Sequence, residues 1–320
     1  MSHTPADRTR PLDPATRGTG SPPRPQVLAL ANPAAGSAQE EALAEAAVAL
    51  RALADVELVV PADTGELRAA LEVLGERQLV LLGGDGTLSA CVAGLDALGR
   101  LGPERPIGLV PLGTGNDVAR ALGLPLEDPA AAARRALTGS PTPLELLRAD
   151  DGTIAVNAVH VGVGAEAAAR AEDAKGLLGR AGYAVGALRA GVAADGWHLR
   201  VAADDVVLHD GTEPVLMVAI GLGSSIGGGT PLAPDADPHD GLADVVVATA
   251  TGPLARVGYA LALRRGEHVE RDDVRRARAR RVTVEVTDGE SFPVDTDGEV
   301  SGPFDRRTWT VEPGAWALRV

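Results

Sequence analysis

Leu79-Val80-Leu81-Leu82, followed at once by Gly83-Gly84-Asp85-Gly86-Thr87-Leu88, limits the fold more than any other stretch of this chain. Four consecutive apolar residues predict a buried strand, and the glycine turn predicts a sharp change of direction into a helix starting near Thr87. Glycine has no Cβ, so backbone N–H groups at such a turn can approach a bound anion closely. The first turn of the following helix adds orphan N–H donors and partial positive charge, and together these seat a phosphate. Asp85 within that turn would repel phosphate unless a cation bridges the two. The combination implies nucleotide phosphates bound together with a divalent metal.

The pattern recurs about 25 residues later. Ile107-Gly108-Leu109-Val110-Pro111-Leu112 predicts another short strand, Gly113-Thr114-Gly115-Asn116-Asp117 the turn, and Val118–Leu122 a helix. One glycine-rich turn is as well explained by tight turning alone. Two matched turns, each with a Thr and an Asp, belong at one edge of a parallel sheet, where open α/β folds bind ligands at the carboxyl ends of their strands.

The surrounding pattern supports such a sheet. Strands are predicted at 27–30 and 56–60, helices at about 39–53, 65–74 (with Thr64 as its cap) and 129–138, which completes an alternating βαβα order with helices on both faces. The break Pro141-Thr142-Pro143 closes this α/β domain at residues 25–143. From Leu144 the chain changes to short apolar runs separated by Gly, Pro and Asp turns, at 154–156, 215–220, 243–247 and 282–286. These predict a second, β-rich domain over 144–320, an antiparallel sheet or sandwich whose last strand is expected to return to the first domain. One helical insertion is predicted over about 165–192 and another helix over about 253–264. Residues 1–24, rich in Pro, Arg, Ser and Thr without an apolar core, predict a disordered tail.

Composition removes several function classes. The chain of 320 residues contains a single lysine, Lys175, so no lysine follows either glycine turn or stands on an early strand. A P-loop and a protein-kinase fold both need one. A net charge of −14 and only 2% aromatic residues argue against general nucleic-acid binding. The one cysteine, Cys91, can form no intrachain disulfide, fits a reducing cytoplasmic compartment and is read as a small core residue rather than a nucleophile. No apolar run reaches the 18 or so residues that a membrane-spanning helix needs. The six arginines between Arg271 and Arg281 are read as a solvated helix face, with a phosphate- or headgroup-contacting patch as the sharper alternative.

Taken together, these blocks resemble the diacylglycerol-kinase catalytic-domain family, the bacterial soluble lipid kinases related to sphingosine kinases. The likeness covers roughly residues 25–320. It rests on Asn32-Pro33 with Gly36, Gly83–Thr87, Pro111–Arg120, Asn157 with Gly162 and Gly164, Gly227-Gly228-Gly229 with Pro234, Asp240-Gly241-Leu242 and Asp297-Gly298-Glu299. The resemblance implies a Rossmann-like nucleotide domain, a β-sandwich domain and an active site in the cleft between them. It implies ATP phosphates held by Gly83, Gly84, Asp85, Gly86, Thr87, Leu88 and Ser89, with Asn32, Thr64, Thr114, Asn116 and Asp117 also at the nucleotide. It assigns the catalytic base to Glu299, with Asp297 beside it. It implies Mg²⁺ on Asp237, Asp240 and the Leu242 carbonyl, connected through water to Asp85 and Asp117.

Elementary chemistry agrees with these implied roles. Phosphoryl transfer depends mostly on positioning and charge neutralisation, and a carboxylate among other carboxylates can be tuned as a base. Hard Mg²⁺ prefers the oxygens that Asp237, Asp240 and Leu242 offer. The expectation is therefore an ATP- and Mg²⁺-dependent kinase acting on a lipid hydroxyl, with diacylglycerol as the leading acceptor. It would be cytoplasmic, dock transiently on a membrane surface without spanning it, and leave homodimer pairing open at a sheet edge. Two alternatives stand beside it. One is an NAD kinase-like enzyme, whose family also uses a Gly-Gly-Asp-Gly-Thr turn. The other is a catalytically impaired nucleotide-binding regulator, motivated by Ser89-Ala90 and Leu222 where the family usually carries polar residues.

Overall fold

The computed structural model describes residues 24–32, 37–162, 196–250 and 252–320. The expected tail, apart from Arg24, and the helical insertion expected over 165–192 lie outside the described residues, as do Pro33, Gly36 and Gly164.

A four-stranded parallel sheet begins the fold, in the order β2-β1-β3-β4. Its members are β1 (Gln26–Ala31), β2 (Asp55–Val59), β3 (Gln78–Gly83) and β4 (Gly108–Pro111). The central strands are buried along nearly their whole length, as a parallel sheet covered on both faces requires. Their alternation assigns each residue a side. Leu28, Leu30, Leu79 and Leu81 pack with helices α2 (Thr64–Glu72) and α3 (Asp85–Ala97) through Leu71, Leu88, Cys91, Val92 and Leu95. Val27, Ala29, Val80 and Leu82 face α1 (Ser37–Leu53) and α5 (Pro129–Thr138), the latter following the short helix α4 (Asp117–Ala121). Two local expectations need correction. Asp63, not Thr64, caps α2, because its carboxylate accepts the Glu66 N–H at 2.9 Å. Helix α3 begins at Asp85, two residues early, because Gly84 already adopts the extended N-cap conformation.

Two six-stranded antiparallel sheets form the β-rich part. One has the order β12-β11-β10-β7-β14-β15, and the other β6-β5-β16-β13-β8-β9. The first contains β7 (Ala158–Gly162), β10 (Met217–Gly221), β11 (Ala243–Ala248), β12 (Val274–Ala279), β14 (Phe292–Thr296) and β15 (Glu299–Phe304). The second contains β5 (Pro141–Ala149), β6 (Ile154–Ala155), β8 (Leu199–Ala203), β9 (Val206–Asp210), β13 (Arg281–Val286) and β16 (Arg306–Arg319). Val159, Val161, Val218, Ile220 and Val245 of one sheet share a core with Leu199, Val201, Val282, Val284 and Trp309 of the other. Three arginines of the run, Arg275, Arg276 and Arg278, lie on β12, an edge strand, rather than on a helix face. Charged edge strands resist unwanted pairing, and these arginines are engaged, Arg276 with Asp235 and Arg278 with Asp240 and Asp244.

Strand β16 joins the two parts. A bulge between Glu312 and Trp316 lets it leave the sandwich, so that Trp309 belongs to the sandwich core and Trp316 and Leu318 to the α/β core. Leu318 pairs in parallel with Ile107, just before β4. Arg148 on β5 fastens the same junction, donating to Asp96 of α3 at 2.8 and 2.9 Å and to Glu312 at 2.6 and 3.0 Å.

Cys91 is fully buried and its thiol is pushed up to about 12 by burial. Thiolate is the reactive form, so the native protein is expected to resist a thiol reagent such as dithionitrobenzoate and to release one equivalent only in denaturant. Prompt labelling of the native chain would contradict this packing.

Candidate active site

Because β3 and β4 are adjacent and parallel, their glycine turns emerge side by side at one sheet edge. The turns touch. Leu112 donates its N–H to the Gly83 carbonyl at 2.9 Å, and a Cβ placed on Gly84 would lie 2.8 Å from the Gly113 Cα. Helix α3 rises from the first turn with Gly84 at its N-cap and no side-chain cap, so its N-terminal dipole and N–H groups serve the adjoining space. Asn32, at the end of β1, donates from Nδ2 to Thr87 Oγ1 at 3.2 Å. In the second turn Asn116 is left-handed at φ 53°, and its side chain closes the turn by pairing with both Gly113 N and Gly113 O.

These turns form one wall of a cleft of about 800 Å³. The opposite wall comes from the β-rich part, through Val156, Asn157, Ala158, His160, Ile226, Gly227, Asp295, Asp297 and Gly298. Its volume falls in the range of ligand pockets. Four aspartates of the described residues border it, Asp85 and Asp117 from the α/β part and Asp295 and Asp297 from the β-rich part. Burial raises the proton affinity of Asp85, while an N–H bond from Val118 at 3.1 Å offsets part of the effect. Asp117 accepts from Ser225 Oγ and from the Gly228 and Gly229 N–H groups at 2.7 to 2.8 Å. Those glycines have φ of 92° and 103°, a region that side chains rarely enter, so the triplet can wrap the carboxylate closely. Asp297 accepts from Ser89 Oγ at 2.9 Å and from the N–H groups of Val156, Asn157 and Ala158 at 2.8 to 3.0 Å. Burial shifts its carboxyl upward against these lowering hydrogen bonds. Asp297 thus ties α3 to the sandwich, and Ser89 serves that tie.

The structure brings together Asn32, Gly83, Gly84, Asp85, Gly86, Thr87, Thr114, Asp117 and Asp297 around the cleft. Leu88 points into the α/β core, and Thr64 is exposed at the start of α2 outside the cleft lining. Glu299 is exposed at the start of β15, one residue beyond Gly298 in the wall.

Asp237, Asp240 and Leu242 are not among the residues lining this cleft and belong to a loop packed on the first half of β5. The Asp237 carboxylate accepts the His239 N–H, and Asp240 accepts the Leu242 N–H and pairs with the Arg278 guanidinium. Among the described residues no group of three or more His, Cys, Asp or Glu is arranged to hold a metal. The donors are chemically suited to Mg²⁺, but a guanidinium already neutralises Asp240. The residues as arranged therefore do not fit the ion.

Sequence reasoning missed His160 and Asp295. The period-two pattern Ala158, His160 against Val159, Val161 was the available signal, since it separates one histidine from the valines of the sandwich core.

Comparison with known proteins gives the family of the chain. Residues 26–149 match the diacylglycerol kinase catalytic domain, and residues 157–320 match the YegS C-terminal NAD kinase beta sandwich-like domain. The chain belongs to the diacylglycerol kinase catalytic-domain family. It is 31% identical to a diacylglycerol kinase of Mycobacterium tuberculosis, over 92% of this chain and 95% of that one. It is 35% identical to a "probable lipid kinase YegS-like" of Pseudomonas aeruginosa, over 86% and 88%. The fold superimposes on a crystal structure from Bacillus anthracis with a TM-score of 0.74 at 22% identity, covering 95% of this chain and 97% of that one.

Proposed function

We propose that this protein is an ATP-dependent lipid kinase that transfers the γ-phosphoryl group to a lipid hydroxyl, foremost that of diacylglycerol, giving phosphatidic acid. The observation that carries this reading is the single cleft in which two glycine turns and the α3 N-terminus face carboxylates of the sandwich. The N–H groups around Gly84 and Gly86 take phosphate oxygens, and Asn32, Thr87 and Thr114 border the nucleotide. A divalent cation brought in with the nucleotide would meet Asp85 and Asp117 and would supply charge neutralisation there. Asp297 acts as a positioning residue, and Glu299 stands at the rim where a base would meet an acceptor arriving from outside. Among the described residues no helix is long and apolar enough to cross a membrane, so the reading has the acceptor met at a bilayer surface.

The test is transfer of label from γ-³²P ATP to diacylglycerol, a long-chain base or a polyprenol in separate mixed micelles, with NAD⁺ as a further acceptor. Label in phosphatidic acid is the expected result. NADP⁺ formation without any lipid product would replace this reading, and nucleotide binding without turnover would return it to a regulatory protein.

A further inference from the structure

We infer that helix α6 (Pro253–Leu263) is the bilayer-docking element of this chain, laying an exposed apolar stripe into the surface of an anionic phospholipid membrane. This deepens the lipid-kinase reading and rests on it, since that reading puts the acceptor in a bilayer.

Helix α6 has two opposed faces. Arg256 and Tyr259 are buried, and Ala255 and Leu263 pack on the sandwich core. Leu254, Val257 and Leu261 face the other way, 89%, 47% and 55% exposed. At about 100° per residue these three fall on one stripe, which Arg264 and Arg265, both exposed, extend. Aliphatic side chains held together in water are unfavourable and mark a binding surface. A helix with aliphatic residues on one side and arginines at the edge lies in the plane of a membrane interface.

Charge selects the occupant. The chain carries a net charge of −14, yet residues 253–281 hold nine arginines against four acidic residues. Several are engaged, Arg265 loosely with Glu267, Arg271 with Asp273, Arg276 with Asp235 and Arg278 with Asp240. Arg264, Arg275, Arg280 and Arg281 add exposed charge beyond those pairs, and such a surplus draws a chain toward anionic headgroups. A second copy of the chain fits the stripe poorly. An 11-residue helix is about 16 Å long, and three side chains along it fall far short of the roughly 800 Å² per partner that a stable dimer buries.

The helix is also tied to the cleft wall. It leads into the 3₁₀ turn Glu267–Glu270, where the buried His268 bonds through Nε2 to the Leu232 carbonyl at 3.0 Å. Just before Leu232, Ile226 and Thr230 exchange backbone hydrogen bonds of 2.9 Å. Ile226 and Gly227 line the cleft, and Gly228 and Gly229 hold Asp117. Docking through α6 therefore keeps that wall close to the lipid.

The experiment floats the full chain with vesicles of phosphatidylglycerol and phosphatidylcholine, or of phosphatidylcholine alone, without ATP. Transfer rates follow on long-chain diacylglycerol in the same vesicles and on a water-soluble short-chain diacylglycerol. L254Q/L261Q is expected to weaken vesicle partition and vesicle transfer about 10-fold each, with transfer to the soluble acceptor within about twofold of wild type. R264Q/R265Q should weaken partition to the anionic vesicles alone. V73Q, which removes an apolar residue 68% exposed at the end of α2, should change neither. The substituted side chains are exposed, so the variants fold, which circular dichroism checks. Partition of L254Q/L261Q equal to wild type, an equal loss in V73Q, or wild-type partition indifferent to phosphatidylglycerol overturns the inference. A wild-type dimer in sedimentation equilibrium that L254Q/L261Q splits overturns it too, giving the stripe to a second copy. Each of these leaves the kinase reading standing. A wild-type chain that phosphorylates neither acceptor removes the kinase reading, while flotation still decides the role of α6.

Discussion

Asp297→Ala is expected to lower the free energy of unfolding by about 4 kcal/mol and activity by about 100-fold. The carboxylate collects four hydrogen bonds, three from consecutive backbone N–H groups at 156–158 and one from Ser89. Leaving one buried donor without a partner costs about 1–3 kcal/mol, so three or four would cost much more if nothing relaxed. Two effects reduce the total. Burial of the charge is itself unfavourable, as the raised proton affinity of Asp297 shows, and water entering from the cleft can satisfy part of the exposed set. A third effect adds to the loss. Asp297 is left-handed at φ 50°, where aspartate and asparagine are tolerated and alanine is not. Asp297→Asn keeps that tolerance but turns one acceptor into a donor facing other donors, so it should be destabilised less than alanine while still losing activity. Urea unfolding followed by circular dichroism, with phosphoryl-transfer rates on the same samples, checks both. An alanine variant within about 1 kcal/mol of wild type would mean that these hydrogen bonds do not fasten the domains.

Much of the first domain was legible because its signals are local. The glycine turns announce themselves within a few residues, and strand and helix periods around them agree, so the parallel sheet and its binding edge could be read directly. The errors there are small and physical. Thr64 and Asp63 are both good caps, and only the backbone shows that the Asp63 carboxylate reaches Glu66. The arginine run misled because alternating charge looks alike on a helix and on an edge strand until its partner β11 is known. The remainder of the site depends on pairings between distant residues. Asp297 is legible as part of an Asp-Gly-Glu block, but its role as acceptor for 156–158 exists only once β14 lies beside β7. His160 and Asp295 meet through that same register. Nothing local to Trp309 or Trp316 says that one strand passes from the sandwich core into the α/β core, because the bulge between them appears only against β5.

Gly113→Ala and Gly84→Ala are expected to reduce kcat/KM for ATP about 100-fold with a smaller loss of stability, about 1–3 kcal/mol. A Cβ on Gly113 would stand 2.5 Å from the Gly84 Cα and 2.8 Å from Asn116 Oδ1, and one on Gly84 would stand 2.8 Å from the Gly113 Cα. The obstacle in both cases is backbone, which cannot swing aside as a side chain can. Relief must come from separating the two turns, which breaks the 2.9 Å bond from Leu112 N to Gly83 O and splays the donors that face the phosphates. Gly86 supplies the contrast. It lies within α3, and a Cβ there meets nothing within 4 Å. Gly86→Ala should therefore fold as well as wild type or gain up to about 1 kcal/mol from helix propensity. If the open space beside Gly86 is where phosphate sits, the same methyl group should weaken ATP binding without harming the fold. Calorimetric titration of ATP and thermal unfolding on the three variants separate these effects. ATP affinity unchanged in Gly86→Ala would move the phosphates away from the α3 N-terminus, and unchanged affinity in all three would remove the nucleotide from the paired turns.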